Sequence, residues 1–308
     1  MKTAIIGAGI TGLYLAWKLS EKGENVSVFE RREKIGKEAC SGLVSERILE
    51  FVPESKNLIK NRIENVLIHF PRRTMEIKFS KTLFVINHFE LDNLVADLAK
   101  KAGAKIILNH PVTDIPEGFD KVIGCDGASS KIRELLKMKS PDFYLGIKGD
   151  VEKSDSSNFV ETWPTESGFI WKIPRGSERE YGIMEKTENA KRYFEEFLKK
   201  NNIILQKVNS ALIPRGLAIP SNDKITLCGD AVGLTKPWSG GGVIWGLFAA
   251  NILLKTFPDF LKYKKLARRF FLPKIMFSKI CAFTIYFLGI NFPWFLPKNY
   301  GIDGDFLV

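Results

Sequence analysis

The chain has 308 residues, 45% of them hydrophobic, which is enough to fill one large core or two smaller ones and excludes a disordered protein. The formal charge of +11 indicates an anionic partner such as nucleic acid, a phospholipid surface or a phosphorylated substrate. Four scattered cysteines and three isolated histidines argue against a disulfide framework and a metal site, and predict a reducing, cytoplasmic setting.

The first thirty residues predict a βαβ unit, with strands at 2–7 and 25–30 around a helix at 10–22. The loop between the first strand and the helix has GxGxxG spacing, which lets the backbone approach a pyrophosphate at a helix N-terminus. The residues predicted to contact a dinucleotide there are Gly7, Gly9, Ile10, Thr11 and Gly12. Glu30 can accept hydrogen bonds from a ribose, whereas the adjacent Arg31 leaves a 2′-phosphate open as an alternative.

The remaining elements predict two interleaved domains. Alternating residues at 66–85 and strand-like runs at 144–151, 158–163, 169–173 and 179–184 predict antiparallel sheet, whereas helices and buried strands at 90–137 and 224–256 return to α/β. The predicted fold is a Rossmann-like α/β domain (1–52, 87–140 and 216–257), an antiparallel-sheet substrate domain (53–86 and 141–215) and a helical tail (258–308).

Three further loops have the composition of ligand-binding turns. Residues 123–130 and 227–233 each place an aspartate in a glycine-flanked turn after a buried strand. Residues 240–242 are three glycines at a helix start, and their backbone N–H groups, uncovered by side chains, can contact a flat, electron-rich edge of a ligand. The residues predicted to contact the cofactor are Asp126, Gly127, Gly229, Asp230, Gly240, Gly241, Gly242 and Val243.

These ordered motifs resemble flavoproteins with the p-hydroxybenzoate hydroxylase type of fold. The resemblance implies FAD as the cofactor, with Asp230 at its ribityl chain and the three glycines at the flavin. His88 stands where this fold often has an arginine near the cofactor, and His88 and Val112 are predicted contacts. A surface residue at a helix entry is the alternative interpretation of His88.

Two segments predict the reactive side. Cys40 and Gly42 follow Glu30 across a short basic loop, and Cys40 is a candidate catalytic residue over the flavin, or a small residue in a tight loop. Cys125 and Cys228 are predicted to be buried. Alternation along 169–174 places Phe169, Trp171 and Ile173 on one face, as an aromatic wall or as core. The residues predicted to extend this substrate-binding wall are Phe159, Trp163 and Trp238.

Residues 40–43, 169–174 and 237–242, together with Gly36, resemble the geranylgeranyl reductase family. This resemblance implies an FAD-dependent reductase that saturates isoprenoid double bonds of membrane lipids, by hydride transfer from reduced flavin, with NAD(P)H or ferredoxin as the electron donor and no nucleic-acid partner. Phe169 and Ile173 depart from the family's usual tyrosine and phenylalanine. Segment 169–174 also resembles flavin-dependent halogenases, and a halogenase or monooxygenase, or a non-catalytic electron carrier, are the alternatives.

The tail predicts peripheral contact with an anionic membrane. Phe260, Tyr263, Ala267 and Phe270 share one helical face and basic residues crowd the others, which is typical of a helix on the inner face of the cell membrane. The apolar stretch that follows, 280–297, is interrupted and is too short to span a bilayer. Packing of this tail on the substrate domain is the alternative.

Overall fold

A computed structural model describes residues 1–36, 40–297 and 299–307, so Ala39 of the cysteine loop lies outside the described residues. The strands, in chain order, are β1 (Lys2–Ile6), β2 (Asn25–Phe29), β3 (Leu43–Ser45), β4 (Ile59–Phe70), β5 (Arg73–Ile86), β6 (Lys105–Ile107), β7 (Lys121–Gly124), β8 (Asp142–Val151), β9 (Phe159–Pro164), β10 (Phe169–Pro174), β11 (Arg179–Lys186), β12 (Gln206–Arg215), β13 (Ile225–Leu227) and β14 (Asn299–Ile302). The α-helices are α1 (Ile10–Glu21), α2 (Ile48–Phe51), α3 (His88–Lys101), α4 (Lys131–Leu135), α5 (Thr187–Lys200), α6 (Val243–Thr256) and α7 (Phe260–Asn291).

Five parallel strands form the first sheet, in the order β13-β7-β1-β2-β6. The central strand β1 is buried from its second residue onwards, as expected for a parallel strand covered on both faces. Helix α1 packs against both α3 and α6. All five strands fall within the ranges predicted for the Rossmann-like domain.

The second sheet has the order β12-β8-β11-β10-β9-β4-β5-β14, with β3 paired to β5. Most neighbouring strands are antiparallel, but β4 and β9 pair in parallel, as do β5 and β14. The chain passes between the two sheets more than once, which confirms the predicted fold class of interleaved Rossmann-like and antiparallel-sheet parts.

Helix α5 and strand β12 were absent from the predicted elements. Ala190 and Phe194 of α5 pack against Ile170 and Ile183, so α5 covers one face of the second sheet. We call this the outer face. The opposite face, which carries Trp171, is the inner face and lies towards the first sheet and α7.

The tail corrects two predictions. Phe260, Tyr263 and Ala267 are fully buried in the main core, because α7 packs against α6, and Phe270 is half-buried there; this face therefore contacts protein and not a bilayer. The tail is also not helical throughout, since its last described strand, β14, extends the second sheet beside β5.

Candidate functional site

The glycine loop leaves free space at the start of α1. A β-carbon on Gly7, whose φ is +103°, would lie 2.4 Å from the carbonyl oxygen of Cys125, and one on Gly12 would lie 2.1 Å from that of Gly7. At Gly9, by contrast, no described atom comes within 4 Å of such a carbon. Gly7 and Gly12 must therefore be glycines because of chain packing. Gly9 instead borders open space in front of the unpaired backbone N–H groups at the start of α1, and a pyrophosphate needs both that space and those N–H groups.

Glu30 is buried beside this loop and already has partners. Its carboxylate accepts hydrogen bonds from the backbone N–H of Ala8 at 2.8 Å and from Nε of Arg32 at 2.9 Å. Burial alone would raise the pKa of Glu30, but these donors outweigh burial and lower it. Arg31 is exposed, so the arginine that contacts Glu30 is Arg32. A buried carboxylate paired with the nearest arginine disfavours a 2′-phosphate here.

Val112 lies half-buried in the loop that follows β6. The same loop borders Glu30, because the backbone N–H of His110 donates to the Glu30 carbonyl at 2.8 Å. This places Val112 on the adenosine side of the predicted dinucleotide.

Asp126 has a structural task that the sequence did not indicate. Its carboxylate accepts hydrogen bonds from the Ser130 hydroxyl at 2.6 Å and from the backbone N–H of Lys131 at 2.6 Å. It therefore caps the start of α4, and its two oxygens are engaged within the chain. Gly127, in contrast, borders open space, since a β-carbon there would contact no described atom within 4 Å.

Asp230 is the better placed aspartate for a ligand. A β-carbon on Gly242 would lie 2.7 Å from its Oδ1, and one on the preceding Gly229 would lie 2.7 Å from Oγ1 of Thr11. The aspartate turn thus joins the first glycine loop to the glycine-rich start of α6. Within the described residues no donor reaches the half-buried Asp230 carboxylate, which is available to ligand hydroxyls.

The first of the three glycines before α6 lies against the inner face of the second sheet. Gly240 has a φ of +68°, and a β-carbon there would lie 2.5 Å from Sδ of Met184. Met184 pairs across the sheet with Phe169, whose ring centroid is 6.0 Å from that of Trp171. The glycine loop and the Trp171 wall are therefore neighbours. Because Gly240 is left-handed, α6 begins at Val243 and not at Gly240.

Two other predicted wall residues, Phe159 and Trp163, do not join Trp171. Trp163 pairs with Ile170, so Trp163 and, by strand alternation, Phe159 project to the outer face. Trp163 stacks on His69 there, with ring centroids 5.0 Å apart. Ile173, by contrast, lies on the inner face with Trp171, in a small buried core against which Trp171 packs.

Trp238 packs edge-on against Trp245, with ring centroids 5.8 Å apart, on the first-sheet side. The inner-face wall is therefore smaller than predicted, with Phe169 and Trp171 at its centre.

A buried ion cluster, which the sequence did not reveal, holds Trp171. Glu180 accepts a hydrogen bond from Nε1 of Trp171 at 2.9 Å and pairs with Lys148 at 2.8 Å and with Arg175 at 2.7 Å. Arg175 also donates to the carbonyl of Ser41. One guanidinium therefore ties the wall to the cysteine loop. The registers of β8, β10 and β11 together bring these groups into contact, so no local motif could have identified them.

Cys40 and His88 come together at the boundary of the two sheets. Nε2 of His88 lies 3.4 Å from Oδ1 of the fully buried Asp92, one helical turn further along α3. Burial alone would lower the pKa of His88, but Cys40 and Asp92 outweigh burial and hold it well above its ordinary value. Cys125 and Cys228 are buried as predicted, and burial raises the pKa of both thiols.

Gly42 and Cys40 share this boundary loop. A β-carbon on Gly42 would lie 1.9 Å from the carbonyl oxygen of Ile86, at the end of β5. Gly42 therefore allows close contact with β5, just before His88 begins α3.

Comparisons with known proteins agree with this arrangement. Residues 5–50 match the model of an NAD(P)-binding Rossmann-like domain. The chain is 25% identical to a digeranylgeranylglycerophospholipid reductase of Methanococcus vannielii, over 82% of this chain and 76% of that protein.

Two solved structures share the fold. A geranylgeranyl bacteriochlorophyll reductase-like protein of Thermoplasma acidophilum superposes with a TM-score of 0.82 at 19% identity, covering 92% of this chain and 87% of that chain. A myxobacterial chondrochloren halogenase superposes with a TM-score of 0.71 at 13% identity, covering 93% and 82% of the two chains.

Proposed function

We propose that this chain, an FAD-dependent oxidoreductase of the geranylgeranyl reductase-like type, saturates C=C bonds in the isoprenoid chains of a membrane lipid. The sequence relatives support this substrate class, because the Methanococcus protein is named for reduction of a digeranylgeranyl glycerophospholipid. We thus propose the lipid substrate, the direction of the reaction, and the residues that take part in the reaction.

One observation carries the proposal: the Trp171 wall adjoins the glycine-rich start of α6. Gly240 lies against Met184, and Met184 is the cross-strand partner of Phe169. An apolar, aromatic surface beside the expected flavin edge suits an alkene and offers little to a polar substrate.

The Trp171 ring fills the space beside one inner-face glycine. Gly182 pairs with Trp171 across the sheet, and a β-carbon on Gly182 would lie 2.2 Å from the ring, so glycine at this position allows the indole to lie against β11.

The chain holds the cofactor through the groups already described. The adenosine ribose would bind at Glu30, the pyrophosphate at Gly9 and the start of α1, and the ribityl chain at Asp230. When bound and reduced, FAD supplies the hydride that one alkene carbon receives. The remaining requirement is a proton for the neighbouring carbon.

We assign the donation of this proton to Cys40. His88 and Asp92 would then return a proton to Cys40 and orient its side chain. The Cys40 loop is fixed against the wall, because Arg175 binds both the Ser41 carbonyl and Glu180. His88 lies between the loop and Asp92 and is 8% exposed, so most of its surface is covered by protein. Replacing Cys40 with Ser should slow alkene reduction by roughly 10²-fold or more, while flavin binding persists. Cys281→Ser on α7 is the matched control.

The experiment that tests the reaction uses protein with FAD bound, reduced by dithionite under anaerobic conditions. This reductant replaces the natural donor, whether NAD(P)H or ferredoxin. The reduced protein is mixed with a geranylgeranylated glycerophospholipid in detergent, and the lipid is analysed by mass spectrometry. We expect the lipid to gain two hydrogens for each bond reduced, with matching flavin oxidation. Unchanged lipid mass from protein with full flavin content would overturn the proposal.

The fold similarity to a halogenase makes halogenation the competing outcome. The two lysines of β5 lie outside the Trp171 wall, because Lys78 is exposed and Lys81 pairs with Glu46 at 3.3 Å. Halide incorporation into an aromatic substrate after reoxidation by oxygen would favour the halogenase.

A further inference from the structure

Helix α7 has one side packed on the protein and one side turned to solvent. The packed side is continuous: Phe260, Ala267 and Phe271 lie in the main core, and Gly289 lies so close to Phe70 that a β-carbon would come within 2.2 Å of the ring. Ile285 and Leu288, near its end, pack on the same small core as Phe70. The helix therefore lies along the protein for its whole length of about 48 Å.

The outward side of the second half of α7 is apolar and exposed. Phe283 is 72% exposed, Trp294 is 62% exposed and Phe295 is 70% exposed. The full set of large exposed apolar residues here is Met276, Phe277, Ile280, Phe283, Phe287, Ile290, Phe292, Trp294 and Phe295. We call this set the aromatic surface.

The five rings of the aromatic surface that follow Phe277 form a chain of contacts. Phe283 and Phe287 stack with ring centroids 6.1 Å apart, and Phe287 lies 6.0 Å from Phe292. Phe292 lies 5.8 Å from Trp294, which lies 6.2 Å from Phe295. A cluster of exposed aromatic rings of this extent is unusual on a protein surface that faces only water.

The outward side of the first half of α7 is basic. Lys262, Lys265 and Arg269 are exposed, and steps of three, four and seven residues align them with Met276, Ile280, Phe283 and Phe287 on one side of the helix. No aspartate or glutamate occurs between residues 260 and 302. One helix side thus carries positive charge at one end and the aromatic surface at the other.

An open depression of about 410 Å³ lies next to the basic end of α7. Lys255, Arg269 and Lys274 line it together with Ile252, Leu266 and Phe270. This mixture of cationic and apolar groups suits a phosphate headgroup attached to an acyl or isoprenoid chain.

By length and composition alone α7 is long and apolar enough to cross a membrane. Its packing opposes a crossing, because β4 and β5 contact the helix where the apolar half lies and would have to enter the bilayer with it. A helix that packs along the protein and presents one apolar side outward matches an in-plane interfacial helix.

We propose that this outward side of α7, with Phe292, Trp294 and Phe295, docks on the surface of an anionic bilayer. The aromatic surface enters the interface between headgroups and acyl chains, and Lys262, Lys265 and Arg269 meet lipid phosphates. The docking face lies on the cytoplasmic leaflet, where anionic lipids attract such residues.

This docking proposal adds to the proposed function. It rests on that function for the identity of the lipid. The packed side of α7 covers part of the inner face, since the ring centroid of Tyr286 lies 6.3 Å from that of Phe70 on β4. A lipid that leaves the bilayer at α7 is therefore already next to the sheet that carries Trp171.

Vesicle flotation of the FAD-loaded protein tests the proposal. Phosphatidylcholine vesicles, with and without phosphatidylglycerol, are the probe. Phe283→Ser/Trp294→Ser/Phe295→Ser should lower partitioning roughly tenfold or more. Lys262→Glu/Lys265→Glu/Arg269→Glu should lower it only on phosphatidylglycerol vesicles and at low salt. Ile204→Ser/Val208→Ser is the matched control, because both residues are exposed and apolar but belong to the loop before β12 and its start.

Four results would overturn docking. The first two are equal flotation of the aromatic variant and the control, and no flotation of the native chain. The third is that alkaline carbonate fails to release bound native protein from the vesicles. The fourth is that the native protein is a dimer and the aromatic variant is a monomer. The last would show that a second copy covers the aromatic surface. Turnover of detergent-dispersed lipid is measured in parallel, so that failure of docking with intact turnover is distinct from failure of the reaction. Flavin absorbance verifies that each variant is folded.

Discussion

At the glycine loop, three residues of one motif are glycines for different reasons. Gly7 and Gly12 have backbone atoms where a side chain would have to be. Gly9 has extended backbone angles, φ −86° and ψ 174°, which any residue can adopt, and open space beside it. The motif spacing could be recognised from the sequence, but this division of roles could not, because it depends on the position of Cys125, directly after β7 and more than a hundred residues away.

Replacing Gly9 with Val should therefore remove the cofactor and spare the fold. The β-carbon meets no described chain atom, and the poorer helix start costs about 1 kcal/mol of unfolding free energy or less. The side chain instead occupies the approach of the pyrophosphate. Absorbance at the flavin bands should be lost, while circular dichroism and the melting temperature of the flavin-free protein stay close to those of native protein stripped of flavin. Gly12→Val is the contrasting variant and should fail to fold. Bound flavin in Gly9→Val would refute this placement.

His88 makes a pH-dependent contribution to stability that can be isolated. Its pKa is raised in the folded state by Cys40 and Asp92, so the folded protein binds this proton more tightly than the unfolded chain. The resulting stabilisation is fully present below the unfolded value of about 6.5 and is lost as the pH rises through the folded value. His88→Gln should remove that part of the slope, as measured by the difference in unfolding free energy between native and variant protein across pH. His69→Gln is a partly exposed control, and parallel pH profiles for His88→Gln and native protein would exclude the effect.

At the scale of strands, side-chain alternation predicted the face of the aromatic residues correctly for β10 and incorrectly for the neighbouring β9. Phe169 and Trp171 lie on one face of β10, as their spacing requires. Trp163 lies on the other face because it is paired with Ile170, a register that nothing in the sequence of either strand specifies. Period-two patterns assign faces within a strand, but a shift of one residue between strands exchanges every side chain between faces.

The pairing of Trp171 with Gly182 gives a prediction for this sheet. A β-carbon at position 182 would lie 2.2 Å from the Trp171 ring and 2.7 Å from the carbonyl oxygen of Ile147. Gly182→Val should displace the indole towards Gly240, lower the unfolding free energy by about 1–3 kcal/mol, and reduce turnover more strongly than flavin affinity. Lipid turnover, flavin titration and denaturant unfolding measure the three effects. Gly301→Val in β14, where a β-carbon meets nothing within 4 Å, should leave all three nearly unchanged. Unaltered turnover in Gly182→Val would remove Trp171 from the proposed substrate surface.

For the whole molecule, the tail shows where local patterns stop being informative. The helical periodicity of residues 260–270 correctly indicated an apolar face, but the same pattern serves a core and a bilayer. Only the contact with α6 shows that Tyr263 and Phe271 complete the main core. The packing of the last residues back onto the protein was equally hard to predict, since two of the residues that Asp303 and Asp305 contact, Ser45 and Arg47, lie 256 to 260 residues earlier in the chain.

That return forms a second buried ion cluster, which connects the end of the chain to the flavin-side loop. Asp305 is fully buried, and its carboxylate pairs with Arg47 at 2.9 Å and with Lys236 at 3.2 Å. Its backbone carbonyl accepts a hydrogen bond from Nε1 of Trp245 at 2.9 Å. Lys236 precedes the three glycines, and a β-carbon on Gly241 would lie 2.8 Å from its Cε, so the position of Lys236 and that of the glycine loop depend on each other.

Replacing Asp305 with Ala should therefore destabilise the fold and weaken flavin binding together. Arg47 and Lys236 would remain buried without this carboxylate, which typically costs about 3–5 kcal/mol of unfolding free energy. Lys236 would be free to move, and the glycine loop with it, so flavin affinity should fall even in the folded fraction. Denaturant unfolding and flavin titration below the melting temperature separate the two effects. Asp223→Ala, at an exposed site, should change neither measurement. Native-like flavin affinity in a destabilised Asp305→Ala protein would show that the cluster supports the core alone, because Lys236 would then have lost its carboxylate partner without displacing the loop.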